Sequence, residues 1–465
     1  MRSSIFVVSD LHLGGEPGPN DSPGFRILTA VGQQRLAQFL SWVGKQASND
    51  CHLHLIINGD FVDFLAEKEF AAFTVSDEAA AEKLDHVMSR TAAVWDGLRA
   101  ALSAGVRLTV LLGNHDLELS LPSPRRLLLK RLGFGQVDFI YDNQAFVAGP
   151  VLIEHGNRYD NWNAVRHDQL REVRSALSRR EQPPEFPPPA GSQLVRQIMN
   201  PLKARFPFVD LLKPEDAGTV PMLAALDPSS MRAIPKLALL ARQSATVRFD
   251  ESGTPLDPSN IAEEPEAKKE RELLQLAADI AAGGDAQQVS VAGRIGDLWE
   301  RLRNAASQAA LAAEFDLLYK AIRAHIEAHR RNFDVNRENE IYLRAAQAAV
   351  RRGFRVVVFG HTHAVKRVPL EGNSVYLNTG TWADLMRFPE AVLRGTEEEA
   401  RAQLQRFSDD LAANRVERYR EQVPTFARID MDGQTLSSAD VYLFNPPDQA
   451  APVPNGQLAS LIYAP

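Results

Sequence analysis

The sequence predicts a layered α/β fold interrupted by a long helical insertion, and two observations carry that reading. Short runs rich in Val, Ile and Leu alternate with amphipathic helical stretches over the first 160 residues and return after residue 353. Continuously apolar strands alternating with helices mark a sheet covered on its faces. Between 161 and 350, by contrast, almost no strand signal occurs.

In chain order, IFVV (5–8), HLHLII (52–57), RLTVLL (107–112) and PVLIE (150–154) read as strands. QQRLAQFLSWVGKQ (33–46) and DHVMSRTAAVWDGLRAALSAG (85–105) read as the helices between them. A charged amphipathic helix is expected over 161–180, then a stiff spacer, PPEFPPP (183–189). Polar, turn-rich FDESGTPLDPSNIAEEPE (249–266) reads as a loop or partly disordered, and 270–352 as helical again. Strands resume at FRVVVF (354–359), SVYLNTG (374–380), TFARID (425–430) and ADVYLF (439–444), with a charged helix over 397–422. The expected organisation is a core in two parts, 1–160 and 351–445, around a mainly helical insertion, 161–350, with a loose tail, 446–465.

Composition narrows the function classes. The chain has 465 residues, is 45% hydrophobic and 24% charged, and carries a net charge of −7. Collagen-like, disordered and disulfide-scaffold classes are excluded, and no global basic footprint marks a nucleic-acid binder. The single cysteine, Cys51, builds neither an internal disulfide nor a thiolate metal site and reads as a small packed residue. No apolar run reaches the ~18–20 residues of a membrane span, and MRSSIFVVSD lacks the pattern of a signal peptide. A cytoplasmic address is therefore expected.

Five polar signatures each follow a predicted strand: SDLHLGG (9–15), NGDFVD (58–63), GNHD (113–116), EHGNRYD (154–160) and GHTH (360–363). Ligands in open α/β sheets bind beyond the carboxyl ends of the strands, so these loops are expected to converge. That would gather Asp10, His12, Asp60, Asn114, His155, His361 and His363 as metal ligands, with His115 nearby. Imidazole and carboxylate donors suit Mn, Fe, Zn or Ni better than Mg. His325 and His329, at i and i+4 on one helix face in HIEAH, lack the glutamate offset of H-E-x-x-H and an evident third ligand, and are not read as a metal site.

With those five motifs in this order, the sequence resembles the calcineurin-like metallophosphoesterases over about 5–160 and 353–445. The resemblance implies a four-layer α/β/β/α sandwich with two metals at one end. Asp10, His12 and His363 would hold the first metal, Asn114, His155 and His361 the second, and Asp60 both. It favours Mn2+ as the ion and implies a metal-bridging hydroxide that attacks phosphorus in line. Two dications ~4 Å apart repel by ~16 kcal/mol at an effective dielectric of ~20, which the carboxylates and hydroxide offset. His115 resembles the general acid for the leaving oxygen. Asp116 would either orient that ring or cap the following turn. Asp63 would support the site or start a helix, and Arg158 would clamp phosphate or lie on the surface.

SDLHLGG, NGDFVDF, EHG and YLNTGTW most resemble the branch containing UDP-2,3-diacylglucosamine pyrophosphatases. A phosphodiester or pyrophosphate in a phosphorylated small molecule, or in a nucleotide- or lipid-type substrate, is the expectation. The alternatives are a protein or nucleic-acid phosphatase or nuclease of the same fold, and a non-catalytic scaffold. GDFVDFL lacks the Arg-Gly of the protein phosphatases, and scaffolds lose ligands that are all filled here.

Overall fold

The computed structural model describes residues 2–204, 207, 211 and 334–452, apart from 19–23, 49, 134–136, 205–206, 387–390, 393–394, 413–414 and 446–448. Among these residues two sheets form the centre. Strands β1 (Arg2–Val8), β2 (Cys51–Asn58), β3 (Arg107–Leu111) and β4 (Val137–Ile140) run parallel in one sheet. β12 (Thr425–Asp432), β13 (Thr435–Asn445) and β14 (Gln449–Pro452) extend it antiparallel from β1. In the other sheet β6 (Val151–Ile153), β7 (Val356–Phe359) and β9 (Ser374–Thr379) are parallel. β5 (Phe146–Ala148) and β8 (Val365–Leu370) are its antiparallel edges. A short pair, β10 (Leu385–Met386) with β11 (Arg420–Glu421), stands apart.

Strand alternation builds the layers. Ile5 and Val7 of β1 face the second sheet, packing in one core with Val151, Ile153, Val356, Val358 and Leu377. Phe6 and Val8 point the other way, to α1 (Ala30–Lys45), α2 (Asp77–Arg90) and α3 (Ala92–Ser103), through residues such as Phe39, Val87 and Trp95. On the outer face of the second sheet, Val357, Phe359 and Tyr376 meet Tyr342, Ala345, Ala346 and Ala349. These belong to the helix Glu340–Arg351. The result is the expected α/β/β/α order. Each buried Val, Leu or Phe in these faces contributes ~1.5–3 kcal/mol, which fixes the register because a one-residue slip would expose the whole set.

Several boundaries differ from the sequence reading. The helix expected over 85–105 is two helices, α2 and α3. Thr91 divides them, its hydroxyl donating to Val87 O and accepting Trp95 Nε1–H. The helix expected over 161–180 starts only at His167, as α5 (His167–Ser178), after α4 (Pro122–Leu132) earlier in the chain; residues 161–163 form a turn. The charged helix, α9, ends at Ala412 (Glu397–Ala412), the helix Glu340–Arg351 being α8. The loose tail begins later than expected, since Gln449–Pro452 pairs with β13. Of the insertion, the described residues hold α5, α6 (Ala190–Leu194), a π-turn (Val195–Met199), α7 (Asn200–Lys203) and α8, which packs on the second sheet as a core layer. The expected loop at 249–266, most of the helix over 270–352, and His325 and His329 lie outside the described residues. No helix among the described residues is long and apolar enough to cross a membrane.

Candidate metal centre

The parallel strands deliver the motifs to one edge. β1 ends two residues before Asp10, β2 two before Asp60, β3 three before Asn114, β6 two before His155 and β7 two before His361. The first two loops then run side by side: His12 N–H donates to Asp60 O (2.9 Å) and Leu13 N–H to Phe61 O (2.9 Å). His361 N–H donates to both oxygens of Asp10, at 3.1 and 3.0 Å, joining the two sheets at the site.

Three overlapping sets of ligand atoms result, each within 4.8 Å of one another: Asp10, His12 and His363; Asp60, His155 and His361; and His12, Asp60 and His115. His363 Nε2 lies 3.4 Å from Asp10 Oδ1 and 3.0 Å from His12 Nε2. Asp60 Oδ2 lies 3.2 Å from His155 Nε2 and 3.9 Å from His12 Nε2, so a single carboxylate reaches both ends. Asn114 sits between Gly113 and His115, both of which press on Asp60. His115 N–H donates to Asp60 Oδ1 at 2.8 Å. A Cβ on Gly113 would lie 2.0 Å from that same oxygen, so only glycine lets the loop approach this closely.

Backbone conformation sets this edge apart. Asp10, His12, Asp60, His361 and His363 all have φ between 44° and 70°. Non-glycine residues pay for the left-handed region, and at ~1 kcal/mol each these five cost about 5 kcal/mol. Such strain persists only where the surroundings hold it.

Burial and charge explain the protonation. Burial alone would raise the Asp10 carboxyl, but the hydrogen bond and charge of His363, with His155, hold it down at about 2. Burial and then His115 push His12 down to about 3, so its ring is neutral. Burial works against a charged His155, yet Asp60 and Asp10 outweigh it and lift it to about 10. Asp116 is raised to about 7, first by burial and then by the Asp60 charge.

Do these residues fit a cation? His155 Nδ1 faces Asn58 O at 2.8 Å, which places its proton there and turns Nε2 into the site. His155 Nε2, His12 Nδ1 and Asn114 Oδ1 are buried without a hydrogen-bond partner. An unmet polar atom costs ~1–3 kcal/mol. Converging imidazole, carboxylate and carboxamide groups, with Asn114 Oδ1 buried and unpartnered among them, form a donor set suited to divalent first-row metals, and the fit is good.

The remaining sequence candidates are placed as follows. His115 Nδ1 lies 3.1 Å from Asp63 Oδ1, and the same oxygen accepts Leu65 N–H at the start of the turn Phe64–Ala66. The side chain of Asp116 does not cap the following turn. It accepts Gly113 N–H (2.7 Å) and Phe61 N–H (2.8 Å), tying the Asn114 and Asp60 loops together. Arg158 lies 3.5 Å from the Glu154 carboxylate and over the Tyr159 ring.

Sequence reasoning overlooked two groups. Asn378 donates to Gly360 O (2.8 Å), Thr379 Oγ1 meets Ser9 Oγ (2.6 Å) and Thr381 Oγ1 donates to Asp10 O (2.8 Å). The polar run NTGT at the end of the buried strand β9 was the available signal. Asp160 and Asn163 also reach the centre: Asp160 stood in the motif EHGNRYD without a role, and the helix expected over 161–180 concealed Asn163. Comparison with known proteins agrees in part with this geometry. No curated protein matches the chain. A family model does: residues 3–197, which hold Asp10, His12, Asp60, Asn114, His115 and His155, match the calcineurin-like phosphoesterases.

Proposed function

We propose that the chain is a two-cation phosphoester hydrolase acting on a phosphodiester or pyrophosphate linkage. Metal-dependent phosphoester hydrolysis is the activity to which the family match points. The observation that carries the reading is the gathering of His and Asp ligand atoms, five of the seven expected ligand residues standing on left-handed backbone, with Asn114 Oδ1 buried and unmet beside them. Asp10, His12 and His363 would hold one ion, Asn114, His155 and His361 the other, and Asp60 both. Bound cations would supply Lewis-acid charge for phosphoryl oxygens and water made acidic near neutral pH.

The chain's own residues do the rest. In the imidazolium form that a general acid requires, His115 would donate Nδ1–H to Asp63 Oδ1, 3.1 Å away. Nε2–H is then available to protonate the leaving oxygen. His115 is partly exposed, with 21% of its side chain accessible, as a group that meets substrate must be. A second reading has an observation of its own: His115 shares a ligand cluster with His12 and Asp60, which would make it a ligand.

The likeness of SDLHLGG, NGDFVDF, EHG and YLNTGTW supports a nucleotide- or lipid-linked substrate, and Mn2+ is our first choice of ion. The insertion is read as a substrate-selecting region. In support, its first part docks beside the site: Asn200 donates to Leu65 O at 2.9 Å, next to the residues that hold His115. Metal analysis with bis-p-nitrophenyl phosphate hydrolysis tests the whole reading. Two ions per chain and metal-dependent turnover are expected; a chain that stays metal-free and inert after addition of Mn2+, Fe2+ or Zn2+ would leave only the scaffold alternative.

A further inference from the structure

We propose that Asp160 is a positioning residue that sets the polarity of the His361–Asn114 half of the centre, and that Gly191 of the insertion leaves room for this device. The proposal rests on the two-cation reading above. Asp160 Oδ2 lies 3.0 Å from His361 Nε2 and accepts Asn163 Nδ2–H at 2.7 Å, while its Oδ1 accepts Trp162 N–H at 2.9 Å. Asn163 Oδ1 in turn accepts from Asn114 Nδ2 at 3.2 Å.

The chain of bonds has one direction. An ionised carboxylate only accepts, so Asn163 must turn its NH2 toward Asp160 and its oxygen toward Asn114. Asn114 must therefore present its own NH2 to Asn163. That leaves Asn114 Oδ1, the amide atom able to hold a cation, buried and without a partner. On the other branch, a carboxylate accepting Nε2–H of His361 fixes the tautomer in which Nδ1 keeps its lone pair. One carboxylate thus orients two donors from two different sheets.

Helix α6 meets the relay at Gly191. Gly191 N–H donates to Trp162 O at 2.8 Å, and a Cβ on Gly191 would lie 2.1 Å from Asn163 Oδ1. Asn163 is fixed from the core side as well, since its carbonyl accepts Asn157 Nδ2–H at 2.9 Å. Displacing α6 therefore displaces the atom that orients Asn114.

Mn2+ titration of the full, chelator-stripped chain, by calorimetry and by electron paramagnetic resonance, tests this. The wild type should take up two ions and show a spin-coupled pair. Asp160→Asn has the same shape but can donate as well as accept. It should bind one ion normally and the other 10–100-fold more weakly, giving an isolated-ion spectrum at one equivalent. Asn163→Ala and Gly191→Ala should weaken that same equivalent. Melting of each variant in chelator shows that it folds; if Asp160→Asn does not, Asn163→Ala decides. Wild-type affinity for both ions in the folded variants, or equal weakening of both, overturns the positioning role. A wild-type chain that takes up no Mn2+ overturns the two-cation reading and this proposal together.

Discussion

Gly113→Ala adds one methyl group and should disable the centre without touching a ligand. The added Cβ would stand 2.0 Å from Asp60 Oδ1 and 2.5 Å from Asp60 N. Ordinary contact begins at 3.4 Å, so the carboxylate must retreat by about 1.4 Å. Metal coordination tolerates ~0.2 Å. A retreat of that size also breaks the bond from His115 N–H to the same oxygen and removes Asp60 from His155. The stability cost is that of overpacking a filled interior, about 1–3 kcal/mol. The functional cost should be larger: the Mn2+ affinity of both sites falls by at least ~10²-fold, and turnover with it. Chemical denaturation in chelator reads the first quantity, and Mn2+ titration with bis-p-nitrophenyl phosphate turnover reads the second. A Gly113→Ala chain with wild-type stability, two tightly bound ions and normal turnover would refute the claim that this loop is built against Asp60.

Three further outcomes are expected. His115→Asn should keep both ions while slowing turnover by ~10²–10⁴; loss of an ion, measured by elemental analysis, would instead identify His115 as a ligand. Glu118 is held above its ordinary 4.5 at about 7, because burial outweighs the bond from Thr74 N–H and the charge of Lys83. Its folded form keeps the proton, so the stability it contributes is complete below pH 4.5, falls as pH rises toward 7, and is flat above. At ~1.4 kcal/mol per pH unit the loss is about 3 kcal/mol, and Glu118→Gln should gain that much over wild type between pH 5 and 8. A difference that does not change with pH rules this out. Saturating Mn2+ at ~100 times its dissociation constant should stabilise the wild type by ~2.7 kcal/mol per site, and identical unfolding curves with Mn2+ and with chelator would speak against any ion binding there.

Much of the fold was legible because its strands are buried on both faces. Runs such as IFVV and RVVVF announce themselves, and their ends place the motifs. The strands that went unread are at edges or are short: β4, β5, β8, β10, β11 and β14 are half-exposed or only two to six residues long. Their stability comes from a partner strand instead of an apolar run, and a partner is not visible locally. The break at Thr91 was invisible for a related reason. Helical periodicity continues through it, and only the side-chain bonds of Thr91 to Val87 and Trp95 divide the helix.

At the site, side chains that could ligate a cation were legible, and the groups that aim them were not. His and Asp beside glycine are chemically conspicuous, whereas Asp116, Asn163, Asn378 and Thr381 act on backbone or amide atoms from positions distant in sequence. Asp116 shows the difficulty well. Adjacency to His115 suggested that it orients the ring or caps the following turn, and its carboxylate instead accepts from the backbone N–H groups of Phe61 and Gly113. Asp63, fifty-two residues away, meets the ring instead. Left-handed conformations at five of the seven expected ligand positions follow from the same cause. Loops that must leave parallel strands and turn side chains toward a common point cannot do so on relaxed backbone. The strain is held by the crossed hydrogen bonds between loops, which is why a single change at Gly113 is expected to act on the whole centre, and one at Asp160 on the half it orients.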